Sequence, residues 1–147
     1  MNQETNLKRP GDTHWGSYYG TILNLIFMFS VVVNVLEIIE EDGLSDQKVE
    51  ARSIMRSILS FEFVFALHLM KNILGITNEL SIALQKKKKK NQDIVSAMDL
   101  VKVSKQRLQV MRDDEWISLL TEVSSFCTTH DIPILNMDEI FVVSWRP

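Results

Sequence analysis

The sequence predicts an all-α protein of four to six helices packed as an irregular bundle, and three observations favour that class. Only 5 Gly and 3 Pro occur among 147 residues, which favours long regular elements over a loop-rich β fold. Hydrophobic residues make up 46% and charged residues 24%, which is ordinary for a globular domain with a buried core. Apolar residues also recur at spacings of three, four and seven in the second half of the chain, at Ile94, Met98, Val101, Leu108 and Met111.

The chain is predicted to begin with a flexible lead over residues 1–11, which are mostly polar. Asp12 or Thr13 can cap a first helix because their side-chain oxygens can accept hydrogen bonds from first-turn amides. That helix is predicted to continue to about Glu41, and Gly43 then breaks it. The helical domain as a whole is expected to cover residues 12–132.

Ser45 is the predicted cap of the next helix, which leads into an apolar segment at residues 58–74. Apolar residues alternate in part of this segment, so a strand is also conceivable there. Its many Leu, Met and Ala residues favour a buried helix. Gly75 is the predicted stop, with Thr77 or Asn78 as a new cap.

A further helix leads into the lysine run, and the amphipathic helix over residues 94–111 follows it. Residues 113–115 are all acidic and are predicted to form the first turn of the last helix, where the helix dipole favours negative charge. Residues 130–133 are predicted to end that helix, and residues 133–147 to form an irregular tail.

The first helix raises a membrane question, because residues 13–36 contain no Asp, Glu, Lys or Arg. A spanning helix needs about 20 apolar residues. Ser30, Asn34, Glu37 and Glu41 would lie on one face of the helix, and a lipid-facing span has no need of that polar stripe. A buried core helix is therefore the prediction, and a membrane anchor over residues 13–36 is the alternative.

Charge is distributed in blocks that the formal net charge of −3 conceals. Residues 37–50 hold six acids and one lysine, a net of −5. Residues 86–112 hold nine bases and two acids, a net of +7, and residues 113–139 hold seven acids and no Lys or Arg. Two explanations remain open: neighbouring helices attract each other, or the basic block binds phosphate backbones.

The basic block supplies the candidate nucleic-acid-binding residues. Lys102, Lys105 and Arg112 fall on one helical stripe opposite the apolar one, and a lysine run precedes them. Such lysines can bind nucleic acid or acidic lipid headgroups through counterion release, although a solvated helix face is the commoner explanation of such a stripe. No aromatic residue interleaves the run, so base stacking is not expected. The candidates are Lys86, Lys87, Lys88, Lys89, Lys90, Lys102, Lys105 and Arg112.

Other constellations predict no catalytic residue, metal or cofactor. Cys127 and His130 have the spacing of half a zinc site, but a structural zinc needs four ligands. The prediction is a buried cysteine near a helix end and a solvent-facing histidine. His68 is predicted to be a satisfied core or boundary histidine, because apolar residues flank it.

The string Thr13-His14-Trp15-Gly16-Ser17, continued by Tyr19-Gly20-Thr21, resembles a motif of plant hAT-type transposase-derived proteins. In that family, often labelled MYM-type or TTF-type zinc-finger proteins, the motif reads Thr-Arg-Trp-Gly-Ser-His-Tyr-Gly-Thr. The resemblance also covers most of the later chain, at residues 60–65, 67–79, 92–95, 100–114, 124–127 and 136–137.

This resemblance implies a catalytically inactive, helical fragment. In the family an RNase H-like core supplies three metal-binding carboxylates, and the motif belongs to a helical insertion within that core. The carboxylates would then lie outside this chain, so no enzyme activity and no cofactor are expected. The implied partners are DNA or a transposase-like protein, and the implied location is the nucleus, or otherwise the cytoplasm.

Two positions depart from the family pattern. His14 replaces the motif arginine, which removes a permanent charge and puts any contact made there in doubt. The run Lys86–Lys90 looks like a local expansion of a shorter mixed stretch. Thr13, Trp15 and Ser17 match the motif and are the implied contacts with DNA or with the missing core.

Overall fold

The computed structural model describes residues 15–88 and 94–134, and these residues form helices only. The all-α prediction is confirmed for them, and the strand alternative within residues 58–74 is wrong. The predicted lead at residues 1–11, and residues 135–147 of the predicted tail, lie outside the described residues. The helices are α1 (Trp15–Phe27), α2 (Phe29–Asp42), α3 (Ser45–Ile58), α4 (Phe61–Lys88), α5 (Ile94–Asp113) and α6 (Trp116–Thr129).

The first predicted helix is in fact two helices, which meet at Met28 with a bend of 69°. No Pro or Gly marks the bend, and hydrogen bonds from Met28 N–H to Asn24 O (2.8 Å) and from Val32 N–H to Met28 O (2.9 Å) continue through it. The bend is accompanied by complete burial of Phe29. Burial of a Phe side chain stabilises a fold by roughly 1.5–3 kcal/mol, which offsets a distorted turn.

Gly75 does not stop a helix, because α4 continues through it to Lys88. Its role is close packing, since α1 lies against α4 at this point. A Cβ atom on Gly75 would lie 3.4 Å from the Tyr19 ring. Thr77 is likewise no cap, because its hydroxyl donates to the carbonyl oxygens of Ile73 (3.2 Å) and Leu74 (3.1 Å) within the helix.

Helices α2 and α3 form a hairpin whose turn contains Gly43, as predicted. A Cβ on Gly43 would lie only 2.5 Å from the Ile39 carbonyl oxygen, so the turn requires glycine. Ser45 is the first helical residue of α3 and not its cap. The Gln47 side chain instead accepts a hydrogen bond of 3.0 Å from the Leu44 N–H.

The apolar segment is interrupted at Ser60, which caps α4. The Ser60 hydroxyl accepts a hydrogen bond from the Phe63 N–H (3.2 Å) and donates one to the Ser57 carbonyl (2.8 Å). Helices α3 and α4 are therefore separate elements with a bend of 66° between them.

The core lies where α4 and α6 pack against each other and where Phe29, from the start of α2, contacts Phe126. Phe29 and Phe126 meet edge to face with ring centroids 5.0 Å apart, and the His68 ring lies 5.0 Å from Phe126 on another side. His68 is buried, and its Nδ1 donates to the Val64 carbonyl oxygen at 2.9 Å, so the prediction of a satisfied core histidine is confirmed. The core residues are Phe29, Ile58, Phe61, Val64, Leu119, Val123, Cys127 and Ile132.

The acidic turn between the last two helices is arranged differently from the prediction. Asp113 is the last residue of α5, where it accepts hydrogen bonds from Arg112 Nε (2.7 Å) and Gln109 Nε2 (2.8 Å). Glu115 immediately precedes α6 and makes no capping hydrogen bond. These acids therefore end one helix and connect it to the next, and they do not form the first turn of α6.

Candidate nucleic-acid interface

The α4–α5 hairpin carries all the described basic residues of the candidate set, and one ion pair indicates its register. Glu79 of α4 accepts a hydrogen bond from Arg107 of α5. Further back along α4, Ile76 lines a groove with Met111 of α5, so the two helices run antiparallel. Lys86 lies seven residues after Glu79 on α4, and Leu100 lies seven residues before Arg107 on α5. Because the helices are antiparallel, Lys86 and Leu100 lie at about the same level.

This register places three lysines at one end of the hairpin. Each helical residue advances the axis by about 1.5 Å. Lys102 therefore lies within about 3 Å of the level of Lys86, and Lys105 within about 8 Å of it. We call these three lysines, Lys86, Lys102 and Lys105, the basic end. All three are exposed to solvent.

The cations of the block divide into paired and unpaired groups. Arg107 is paired with Glu79, and Arg112 with Asp113. The lysines of the basic end form no ion pair with any residue in the described part of the chain. Asp99 is also exposed on α5, so one carboxylate lies at the same end of the hairpin.

The two ion pairs perturb the titration of their own members. The hydrogen bond from Arg107 lowers the pKa of Glu79, and the same contact raises the pKa of Arg107. The hydrogen bonds from Arg112 and then from Gln109 lower the pKa of Asp113. Arg107 and Arg112 are thus already engaged by carboxylates, and of the two only Arg112 is among the predicted nucleic-acid residues.

The idea that neighbouring basic and acidic helices attract each other holds only in part. Within the described residues, Arg112 pairs with the adjacent Asp113 across no helix boundary. On α6, Glu122 pairs with Lys71 of α4 and not with a cation of α5. The charges at the basic end are consequently left to solvent or to a partner.

Helix α5 is far less buried than its amphipathic pattern predicts. Met111 is its one buried residue, and Ile94, Met98 and Val101 are exposed. The helix packs along α4 and touches α6 near the turn that joins them. A 3.6-residue periodicity shows which residues share a face, but it cannot show whether a second helix covers that face.

The remaining lysines and the family motif lie at the edges of the described chain. Lys87 and Lys88 belong to α4 by their backbone, and Lys89 and Lys90 lie outside the described residues. In the motif, Thr13 and His14 also lie outside them. Trp15 is the first residue of α1, and the backbone carbonyl of the half-buried Ser17 accepts a hydrogen bond of 2.9 Å from Thr21 Oγ1.

The motif glycine lies close to α4. A Cβ on Gly16 would lie 2.9 Å from the Asn78 side-chain oxygen, and Asn78 is the neighbour of Glu79. The start of α1 therefore packs near the register-setting ion pair. The described part of the motif therefore lies close to Asn78 on α4, which precedes Lys86 of the basic end by eight residues.

Cys127 and His130 both pack against core residues. Cys127 is fully buried, as predicted, and burial raises the pKa of its thiol. His130 is half-buried and not solvent-facing, because its ring packs 4.8 Å from Phe29 and 4.3 Å from Phe126. Within residues 15–88 and 94–134, no group of three His, Cys, Asp or Glu side chains could hold a metal ion.

The described helices give a divided result on membrane spanning. None of them alone has both the length and the apolar character to cross a bilayer. Two bent pairs meet the length and composition requirements together, α1 with α2 and α3 with α4. Within the first pair Phe29 is fully buried in the core, but Leu23, Phe27, Val31 and Val35 are exposed, so the prediction of a buried core helix holds at Phe29 and is wrong at those four positions.

Comparisons with known proteins add no identification. No family model, no curated protein and no solved structure matches this chain. The hAT-type origin therefore stays a prediction that rests on the motif residues.

Proposed function

We propose that this chain is a non-catalytic helical module that binds the phosphate backbone of duplex DNA through the basic end of its α4–α5 hairpin. The observation that carries the proposal is that Lys86, Lys102 and Lys105 lie at neighbouring levels at one end of two antiparallel helices. All three are exposed and unpaired among the described residues. When unpaired lysines contact phosphates, they displace the counterions condensed on the DNA, which favours binding at low salt.

The chemistry of the basic end favours backbone contacts over base readout. Lysine is a flexible point charge that lacks the bidentate geometry of arginine, and the arginines of the hairpin are already paired with carboxylates. The exposed residues beside the lysines on α5, such as Val101 and Val103, are aliphatic and provide no stacking platform. The expected binding is therefore independent of DNA sequence and sensitive to salt.

The experiment is fluorescence anisotropy of a labelled DNA duplex at low ionic strength. The double variant K102A/K105A is expected to weaken binding at least about tenfold, because two phosphate contacts are lost. The control is R52A/R56A, which removes the same charge from exposed positions on α3, where Arg52 pairs with Glu40, and should weaken binding by much less. Equal losses in both variants would show that net charge alone matters and would contradict the proposal.

We propose in addition that the module derives from the helical insertion of a hAT-type transposase. The support is the motif string from Thr13 to Thr21 and the helical architecture expected for the insertion. Genomic sequence on both sides of the reading frame provides the test. Remnants of coding sequence for the family's carboxylates would support this origin, and unrelated intact genes on both sides would contradict it.

A further inference from the structure

A groove of about 250 Å³ lies between α1, α4 and α5, and Glu115 of the turn that joins α5 to α6 also lines it. We call it the Glu115 groove. It contains none of the lysines of the basic end, so it is a separate feature from the proposed DNA interface. Pockets for drug-sized ligands enclose roughly 300–1,000 Å³, so this groove fits a smaller molecule.

Four charged side chains line the groove, and three of them already have a partner. Lys71 pairs with Glu122, and Arg107 pairs with Glu79. The carboxylate of Glu115 forms no hydrogen bond and no ion pair with any residue in the described ranges. The groove therefore presents one uncompensated negative charge, which favours a cationic ligand.

The surroundings of Glu115 favour an organic cation over a metal ion. The pKa of Arg107 is raised mainly by its hydrogen bond and charge interaction with Glu79, and the nearby charge of Glu115 adds to that effect. Glu115 is nevertheless exposed, so its oxygens can accept hydrogen bonds from a bound ammonium group. Among the described residues, no third His, Cys, Asp or Glu joins Glu79 and Glu115 to complete a metal site.

Two uncharged polar side chains of the groove have unused hydrogen-bonding capacity. The Tyr19 hydroxyl of α1 and the Asn72 amide of α4 line the groove, and neither makes a hydrogen bond with a described residue. Both groups can donate and accept hydrogen bonds, so hydroxyl groups on a ligand can pair with them. The buried Ile76 and Met111 supply an apolar part of the lining.

We propose that the Glu115 groove binds a small hydroxylated primary amine, whose ammonium group contacts Glu115 and whose hydroxyl groups contact Tyr19 and Asn72. An amino sugar has this chemistry, because it combines one ammonium group with several hydroxyls on a compact ring. Since the groove is open and the ligand small, the expected dissociation constant is about millimolar.

Glucosamine and glucose are a matched pair of probes, because they share a ring and differ by one ammonium group in place of a hydroxyl. Each is titrated into the full chain at pH 6 and constant ionic strength, and binding is followed by two-dimensional amide NMR. Glucosamine is expected to shift the amide signals of Gly75, Ile76 and Glu115 to saturation. Glucose should bind at least about threefold more weakly. Equal affinity for the two sugars, or the absence of saturable shifts, would overturn the proposal.

The variant E115Q tests the role of the carboxylate, because it removes the charge with little change in shape. It should weaken glucosamine binding about three- to tenfold. The control D114N removes the same charge from the adjacent exposed acid, which does not line the groove, and should change the affinity by less than about twofold. Equal losses in both variants would show a general attraction of cations to the acidic turn and would contradict the proposal.

The variant Y19F distinguishes this groove from its neighbour. Glu115 also lines a second groove of about 230 Å³, together with Val103 and Val110. Y19F removes one hydroxyl group from the first groove only, so it should weaken glucosamine binding about two- to tenfold. Unchanged affinity in Y19F, with amide shifts at Val103 and Val110, would place the ligand in the second groove and overturn the proposal.

Discussion

Glu79 of α4 accepts a hydrogen bond from Arg107 of α5, and this pair marks a level at which the two helices face each other. Because the helices are antiparallel, Lys86 and Lys102 lie at nearly the same level beyond it. Both members of the pair are substantially exposed, so its direct contribution to stability is small, about 0.2–1 kcal/mol. The pair therefore marks the register of the two helices, and their packing through Ile76 and Met111 accompanies it.

The contribution of this pair is expected to depend on pH. The hydrogen bond from Arg107 lowers the pKa of Glu79 in the folded state. The stabilisation is therefore fully present above the unfolded-state pKa of about 4.3 and is lost as the pH falls through the lower folded-state value. E79Q should lower the free energy of unfolding at pH 7 by less than about 1 kcal/mol, and by less still at pH 3. Urea unfolding followed by circular dichroism measures both; a deficit that is unchanged at pH 3 would contradict the assignment.

The contact between Gly75 and Tyr19 predicts opposite effects on stability for two substitutions at Gly75. A methyl group at Gly75 fits against the Tyr19 ring at 3.4 Å, and alanine favours a helix interior over glycine by about 1 kcal/mol. G75A should therefore leave stability unchanged or raise it by up to about 1 kcal/mol. G75L should destabilise the fold, because its larger side chain must displace Tyr19. Thermal unfolding of both variants is the measurement, and destabilisation by G75A would show tighter packing than the structure has.

Two phenylalanines on either side of the bend at Met28 should respond very differently to truncation. Phe29 is fully buried against Phe126 and His130, so F29A should cost about 3–5 kcal/mol of unfolding free energy. Phe27 is 80% exposed, so F27A should change it by less than about 1 kcal/mol at low protein concentration. Similar losses in both variants would contradict the burial of Phe29 and the exposure of Phe27.

Asp99 provides a test of the sign of the electrostatic effect at the basic end. Its carboxylate is exposed on α5 within one helical turn of Lys102. D99N removes a charge that repels phosphates, so it should raise DNA affinity about two- to fivefold at low salt and by less at high salt. Anisotropy titrations at two salt concentrations measure both effects. Unchanged or weaker affinity would place the bound DNA elsewhere.

Much of the fold follows from local sequence signals, and the misses share a physical cause. The turn at Gly43 and the helical identity of each long segment depend on local composition, and both were predictable. The bend at Met28 accompanies the packing of Phe29 against Phe126 of α6, which is a long-range contact without a local signal. Gly75 was misassigned as a stop for the same reason, because its function is to admit Tyr19 from another helix.

The sequence predicts which residues form the candidate site, but not which of them are engaged in ion pairs. Sequence spacing identifies Lys102, Lys105 and Arg112 as one stripe, but only the structure shows that Arg112 is held by Asp113. The ion pair between Arg107 and Glu79 was not predicted, because the two residues lie 28 positions apart along the chain. The exposure of Val31, Val35 and Ile38 on α2 was not predicted, because an apolar run shows that a face is hydrophobic and not whether another element covers it.

The salt dependence of duplex DNA binding tests the central proposal most directly. Each phosphate that a lysine neutralises adds about 0.9 to the negative slope of log affinity against log salt concentration. K86A/K102A/K105A should therefore flatten the wild-type slope by nearly three, whereas R52A/R56A should leave it close to the wild-type value. An unchanged slope in the triple variant, or a wild type without salt-dependent binding, would contradict an interface at the basic end.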